Sequence, residues 1–187
     1  MFTSLLLKML NREAASPKNR AGEILENLQI REGSAIADIG SGGGYFTLEF
    51  ARRVGSAGRV YAVDNRQKNL DFIRRLSERE GLDNVDFVLA EGDDMSLPTA
   101  GLDLVFARNV FHHLPEPGQY FENLKRFMRP DGKVALIEHK PKSGFSFVAM
   151  FKHYTPVETI LRQMDNAGYS LEKPFDLPNQ TFELFVV

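Results

Sequence analysis

The stretch ADIGSGGGYF, residues 37–46, places four glycines within five positions directly after a short apolar run. Glycine loses more conformational freedom on folding than any other residue. Four together therefore mark backbone that turns tightly or must come close to something. The run before them, AIADI (35–39), reads as a strand, and YFTLEFARRV (45–54) after them reads as a helix. Strand, glycine loop and helix in that order form the opening unit of an α/β domain, with the loop at the carboxyl end of the first strand.

Downstream the alternation continues. RVYAVD (59–64) reads as a strand, and Gln67 to Glu80 as a helix stopped by Gly81. VDFVLA (85–90) is a third strand, followed by the polar loop EGDDMSLPTAG, and LDLVFA (102–107) is a fourth. Pro117 to Met128 is helical, and Pro130, Asp131 and Gly132 turn the chain into a fifth strand, KVALIEH (133–139). Continuous apolar runs indicate strands buried on both faces, and helices between them imply right-handed crossovers and a parallel sheet. The end of the chain departs from this. After a helix from Pro156 to Ala167, YSLEKPF and TFELFVV are joined by LPNQ, which predicts an antiparallel hairpin at the sheet's edge. The expected architecture is α/β, a doubly wound, mostly parallel seven-stranded sheet closed by a C-terminal hairpin.

Upstream, MFTSLLLKML has no basic leader and Lys8 interrupts its apolar run, which argues against a signal peptide. Phe2, Leu5, Leu6 and Met9 follow helical spacing and predict an amphipathic helix. Ser16-Pro17 breaks this helix, with Ser16 or Asn19 placed to cap a second one over residues 18–30, which Gly33 ends. The 187 residues fit a single domain, with N-terminal helices and a candidate lid in 1–32, a core in 33–187 and a candidate substrate cap in 140–155.

A formal net charge of −2 argues against a nucleic-acid partner. The pairs Arg52-Arg53, Arg74-Arg75 and Lys125-Arg126 read as solvated helix faces. The absence of cysteine excludes disulfides, thiolate metal sites, a cysteine nucleophile and thiol-based arsenite methylation. No metal site is expected. No apolar run reaches the length of a transmembrane span, and a cytoplasmic protein is expected, as a monomer or homodimer.

The glycine loop must then be matched to a ligand. A dinucleotide fingerprint G-x-G-x-x-G begun at Gly40 requires glycine where Tyr45 stands, and one begun at Gly42 meets Thr47. The segment Asp38-Ile39-Gly40-Ser41-Gly42-Gly43-Gly44 instead resembles the D-x-G-x-G-x-G first motif of the class I S-adenosylmethionine-dependent methyltransferases. A tight turn with no ligand is the bland alternative. Asp64 ends the second strand, 24 residues after Gly40, where a carboxylate can accept hydrogen bonds from both hydroxyls of a ribose. GDDMSLP (92–98) resembles the family's adenine loop, though two aspartates can also simply start a turn. LDLVFARNVFHHLPEPGQYFENLKRFMRPDGKVALIEH (102–139) resembles the family's fourth through fifth strands nearly end to end. The likeness runs from about Gly33 to His139 and is closest in style to small-molecule members such as those of quinone biosynthesis.

The resemblance implies S-adenosylmethionine as cofactor and a Rossmann-like methyltransferase fold. By it, Asp38 and the backbone of Gly40, Ser41, Gly42, Gly43 and Gly44 would hold the amino-acid part of the cofactor, and Asp64 the ribose. Asp93 would hold the adenine amine with Met95 on the ring, and Arg108 or Asn109 would lie beside the sulfonium. Tyr45, Asn65, Gly92 and Asp94 complete the expected cofactor set. The implied reaction is in-line methyl transfer to a small, apolar or aromatic acceptor. A general base is needed only if the attacking atom must lose a proton. His139, His153 and Tyr154 are the candidate substrate-facing catalytic residues. His112 and His113, in HHLP, read as structural, bonding loop backbone. The aromatic segment KSGFSFVAMFKHY (142–154) and the first 17 residues are additions to the core. Either they cover the substrate, or they pack on each other or make a dimer contact. After the fourth strand, Arg108-Asn109-Val110-Phe111 lacks the prolines of the N/D-P-P-Y/F pattern of base-amino methyltransferases. A non-catalytic S-adenosylmethionine-binding protein and a nicotinamide-dependent oxidoreductase are the competing readings.

Overall fold

Five apolar segments become parallel strands. In the computed structural model, which describes residues 2–90, 95–140 and 154–187, these are β1 (Ala35–Ile39), β2 (Arg59–Asp64), β3 (Val85–Leu89), β4 (Leu102–Arg108) and β5 (Met128–His139). β6 (Ser170–Asp176) and β7 (Gln180–Val186) follow as an antiparallel hairpin, and the sheet order is β3-β2-β1-β4-β5-β7-β6. The chain steps outward from β1 through β2 to β3, then returns to place β4 on the other flank of β1. Winding therefore reverses between β1 and β4, whose carboxyl ends lie side by side, Ile39 opposite Ala107. A crevice opens at such a switch point.

Strand alternation sends Ile36 and Asp38 to one face and Ala37 and Ile39 to the other. On the Ile36 face pack α2 (Ala21–Asn27), α3 (Tyr45–Val54) and α4 (Gln67–Glu80), around Ile24, Phe46, Phe50, Ile73 and Phe106. The Phe46 and Phe106 rings stand 4.8 Å apart, and Phe50 meets Phe106 edge-on at 5.0 Å. Such pairs add about 0.5–1.5 kcal/mol each beyond area burial. The opposite face is covered by α5 (Pro117–Leu124) and α6 (Val157–Asn166), around Phe111, Phe121, Met128, Ile160 and Tyr169. Tyr169 satisfies its buried hydroxyl by donating to the Phe121 carbonyl at 2.9 Å.

Several boundaries differ from expectation. The Pro130–Gly132 turn lies inside β5. Leu102 pairs with Met128 but Leu104 pairs with Lys133, so the extra residues form a bulge and the strand begins at Met128. The helix expected to run to Met128 ends at Leu124 and tightens into a 3-10 turn, Lys125–Phe127. The second helix is shorter, Ala21–Asn27, after a 3-10 turn at Pro17–Asn19. Neither Ser16 nor Asn19 caps it. Ser16 makes no capping bond, and Asn19 donates to the carbonyl and carboxylate of Glu13, both at 2.6 Å.

The N-terminal helix α1 (Phe2–Ala14) is present as expected. Of its apolar stripe, Leu5, Leu6 and Met9 are more than half exposed, while Leu7 and Ala14 are buried. Leu7, Asn11 and Ala14 stand at helical spacing and form the docking face.

Candidate functional site

The glycine loop is held from below by the neighbouring strand. The N–H groups of Gly40 and Ser41 donate to the Val63 carbonyl at 2.8 and 3.0 Å, and the Gly42 N–H donates to Asp64 Oδ2 at 2.9 Å. Gly42 has φ +54, a left-handed conformation that side chains rarely adopt, and a Cβ there would meet only ordinary contacts. Gly43 is required for a different reason. A Cβ on it would stand 2.2 Å from Asn11 Oδ1 and 2.6 Å from the Leu7 carbonyl, because α1 lies directly on the loop. Asn11 Nδ2 donates to the Gly43 carbonyl at 2.7 Å.

Between α1, the loop and the carboxyl ends of β1, β4 and β5 lies a cavity of about 850 Å³. Its wall brings together Asp38, Gly40, Ser41, Gly42, Gly43, Gly44, Tyr45, Arg108, Asn109 and His139 from the expected set. His112, His113 and the α1 residues Leu10 to Ala14 complete much of the rest. Asp38 is buried and accepts from Thr47 Oγ1 at 2.5 Å. Loss of hydration pushes its carboxyl up to about 7, an effect that the Thr47 bond opposes and the nearby Asp64 charge reinforces. Arg108 is fixed in orientation. Its Nε donates to Gln180 Oε1 at 2.9 Å, and its guanidinium lies 3.5 Å from the Glu13 carboxylate.

Asn109 adopts φ +56, with its N–H donated to the Ile137 carbonyl at 2.8 Å. Among the described residues its Oδ1 is buried without a hydrogen-bond partner. Burial, and then the positive charge of Arg108, hold the His139 imidazole below the ordinary histidine range. Behind the wall, Glu138 is buried and binds both the Phe111 N–H, at 2.8 Å, and His112 Nδ1, at 2.6 Å.

Other expected residues lie elsewhere. Asp64 is buried beneath the loop with both oxygens engaged: Arg66 N–H reaches Oδ1 at 2.9 Å, and the Asn69 amide reaches Oδ1 and Oδ2 at 3.0 and 3.1 Å. Asn65 is exposed. Met95 is buried in the core, accepting from the Tyr120 hydroxyl at 3.3 Å, and is not on the cavity wall. Tyr154 precedes α6, half-buried and off that wall. Gly92, Asp93, Asp94 and His153 lie outside the described residues. Sequence reasoning missed Asn11, Glu13, Thr47 and Gln180, and it expected Glu138 to point into the crevice with His139, whereas His139 lines the wall and Glu138 turns away from it to bind Phe111 and His112.

Among the described residues no helix is long and apolar enough to cross a membrane. The chain resembles (S)-coclaurine N-methyltransferase of Thalictrum flavum subsp. glaucum, at 29% identity over 133 residues, covering 71% of this chain and 35% of that protein. It resembles demethylmenaquinone methyltransferase of Lactobacillus johnsonii at 29% identity over 118 residues, covering 62% of this chain and 48% of that protein. It therefore spans half or less of the length of these two relatives. Among solved structures, a SAM dependent methyltransferase from Aquifex aeolicus superposes with a TM-score of 0.89 over 98% of both chains at 22% identity, which establishes the fold. Residues 30–169 match the family described as "Methyltransferase domain", and the chain belongs to that family.

Proposed function

We propose that the chain is an S-adenosylmethionine-dependent methyltransferase acting on a small, apolar or aromatic acceptor. One observation carries the reading: Asp38 and Arg108 line the same cavity as the glycine loop Gly40–Gly44. An α-amino acid needs an anion for its ammonium and a bidentate donor for its carboxylate, which these two side chains supply. The unpartnered Asn109 Oδ1 gives an acceptor for a third polar contact or for the sulfonium's positive charge. About 850 Å³ suits a nucleoside cofactor beside a small acceptor. Asp64, under the loop, can reach ribose hydroxyls by releasing the Asn69 amide.

S-adenosylmethionine supplies a methyl group already activated on sulfonium, so that the departing thioether is neutral. The chain's own work is then placement and the exclusion of water. Arg108, clamped by Gln180, orients one end of the site, and α1 covers the loop against solvent. The two relatives, a coclaurine and a demethylmenaquinone methyltransferase by name, support a small-molecule acceptor.

The test is calorimetric titration with S-adenosylmethionine and with a nicotinamide dinucleotide, followed by incubation with methyl-labelled S-adenosylmethionine and a metabolite extract. Micromolar binding of the first alone, with a labelled small-molecule product, is expected. Binding without any labelled product would favour the non-catalytic alternative, and retention of the dinucleotide would favour the oxidoreductase.

A further inference from the structure

Among the described residues seven large apolar side chains are exposed, and four of them, Leu5, Leu6, Met9 and Leu10, stand together on α1. The other three, Leu89, Leu171 and Val187, are scattered. Single exposed apolar residues need no explanation, whereas a contiguous ridge marks a surface that meets something. At about 100° per residue, Leu5 and Met9 point directly away from Leu7, Asn11 and Ala14, the side on which α1 is seated. Leu6 and Leu10 widen the ridge on one flank, and Lys8 and Arg12, both exposed, border it on the other. The helix has no acid in its first turn, and its one acid, Glu13, is already engaged by Asn19 Nδ2 at 2.6 Å and by Arg108 at 3.5 Å. Among the described residues no ion pair involves Lys8 or Arg12.

We propose that α1 docks the chain on an anionic lipid bilayer, lying in the plane of the headgroups with Leu5, Leu6 and Met9 among the acyl chains and Lys8 and Arg12 on the lipid phosphates. Charge complementarity selects this occupant. An apolar ridge bordered by unpaired cations suits an interfacial helix, and the alkyl stems of lysine and arginine let their charged heads reach phosphate beside a buried ridge. Two copies of the chain joined ridge to ridge would instead gather four cations with no free acid on the ridge to pair them. The 13 residues of α1 are too few to cross a bilayer, so the helix lies on it. The chain's formal net charge of −2 gives no general attraction to an anionic surface, so binding must come through this helix. Because Leu10 to Ala14 also wall the cavity, the docked chain holds that cavity roughly one helix diameter, ~10 Å, from the headgroups. Docking needs no cofactor and stands apart from the methyltransferase reading.

The experiment sediments the full chain with vesicles of phosphatidylcholine alone and of phosphatidylcholine mixed with phosphatidylglycerol, at low salt, and measures its mass in solution by light scattering. Two cations at an anionic surface predict partitioning onto the mixed vesicles about 10- to 30-fold stronger than onto phosphatidylcholine. The Lys8→Gln, Arg12→Gln double variant should fall to the phosphatidylcholine level. The Leu5→Gln, Met9→Gln double variant should bind neither vesicle, while its thermal unfolding and its affinity for S-adenosylmethionine stay those of the wild type.

Equal sedimentation of the wild type with both vesicles, or with neither, would overturn the proposal. So would undiminished binding by Leu5→Gln, Met9→Gln. A wild-type dimer that this variant dissociates would assign the ridge to a second copy of the chain and overturn it as well.

Discussion

Asp38 sits at the carboxyl end of β1, and burial pushes its carboxyl up to about 7. A cationic ammonium brought beside it would draw the proton away. Affinity for S-adenosylmethionine should therefore strengthen as pH rises from about 6 to about 8, with proton release on binding at the lower pH and little at the higher. Calorimetry in buffers of different ionisation enthalpy measures this, and a pH-independent affinity would place the ammonium elsewhere. Asp64 has a different duty. It holds the Gly42 and Arg66 N–H groups, and an asparagine there must present NH2 to one of these donors. Asp64→Asn should weaken S-adenosylmethionine binding by about 1–3 kcal/mol. Unchanged affinity would show that Asp64 neither shapes the loop nor meets the ribose.

At the scale of elements, α1 is the least conventional part. Its helix closes the cavity through Leu7 packing and the Asn11 bond to Gly43. Asn11→Ala should cost about 1 kcal/mol and speed amide exchange in α1 and in the Gly42–Gly44 loop ahead of the rest of the chain. Exchange altered nowhere in α1 would mean that the bond does not hold the helix down. β1, β2, α3 and α4 were legible residue for residue, because each is a short apolar or periodic run bounded by glycine or polar residues. The orientation of α1 was not. Its sequence carries apolar residues on two sides, Leu5, Leu6 and Met9 on one and Leu7 and Ala14 on the other, and periodicity cannot choose between them. The choice is made by Asn11 reaching a loop 32 residues away. The link from Glu138 to His112 and the β5 bulge are likewise fixed by pairing between distant strands. The part of the site read directly was the glycine loop and the strand ends beside it, because the winding order places them at the switch point.

Over the whole molecule, two buried carboxyls shape the response to pH. Asp38 and Glu183 have ordinary values of 3.8 and 4.5, and both are pushed up to about 7, chiefly by burial. The folded chain then holds more protons than the unfolded one between these limits. Stability from the two groups is full below about pH 4 and is lost as pH rises through about 7, by up to about 1.4 kcal/mol per pH unit per group. Urea unfolding of the ligand-free protein from pH 5 to pH 8 should show this decline, and an Asp38→Asn, Glu183→Gln double variant should flatten it. A slope shared by both proteins would assign the effect to other groups.

The central claim is that the cavity at the β1–β4 switch point receives S-adenosylmethionine with its amino-acid end toward Asp38 and Arg108. A crystal structure of the chain with S-adenosylhomocysteine tests it most directly. The account predicts the ligand's ammonium and carboxylate between those two side chains, with its backbone-facing edge along Gly40–Gly44. Ligand bound on another surface, or an empty cavity at saturating concentration, would contradict it.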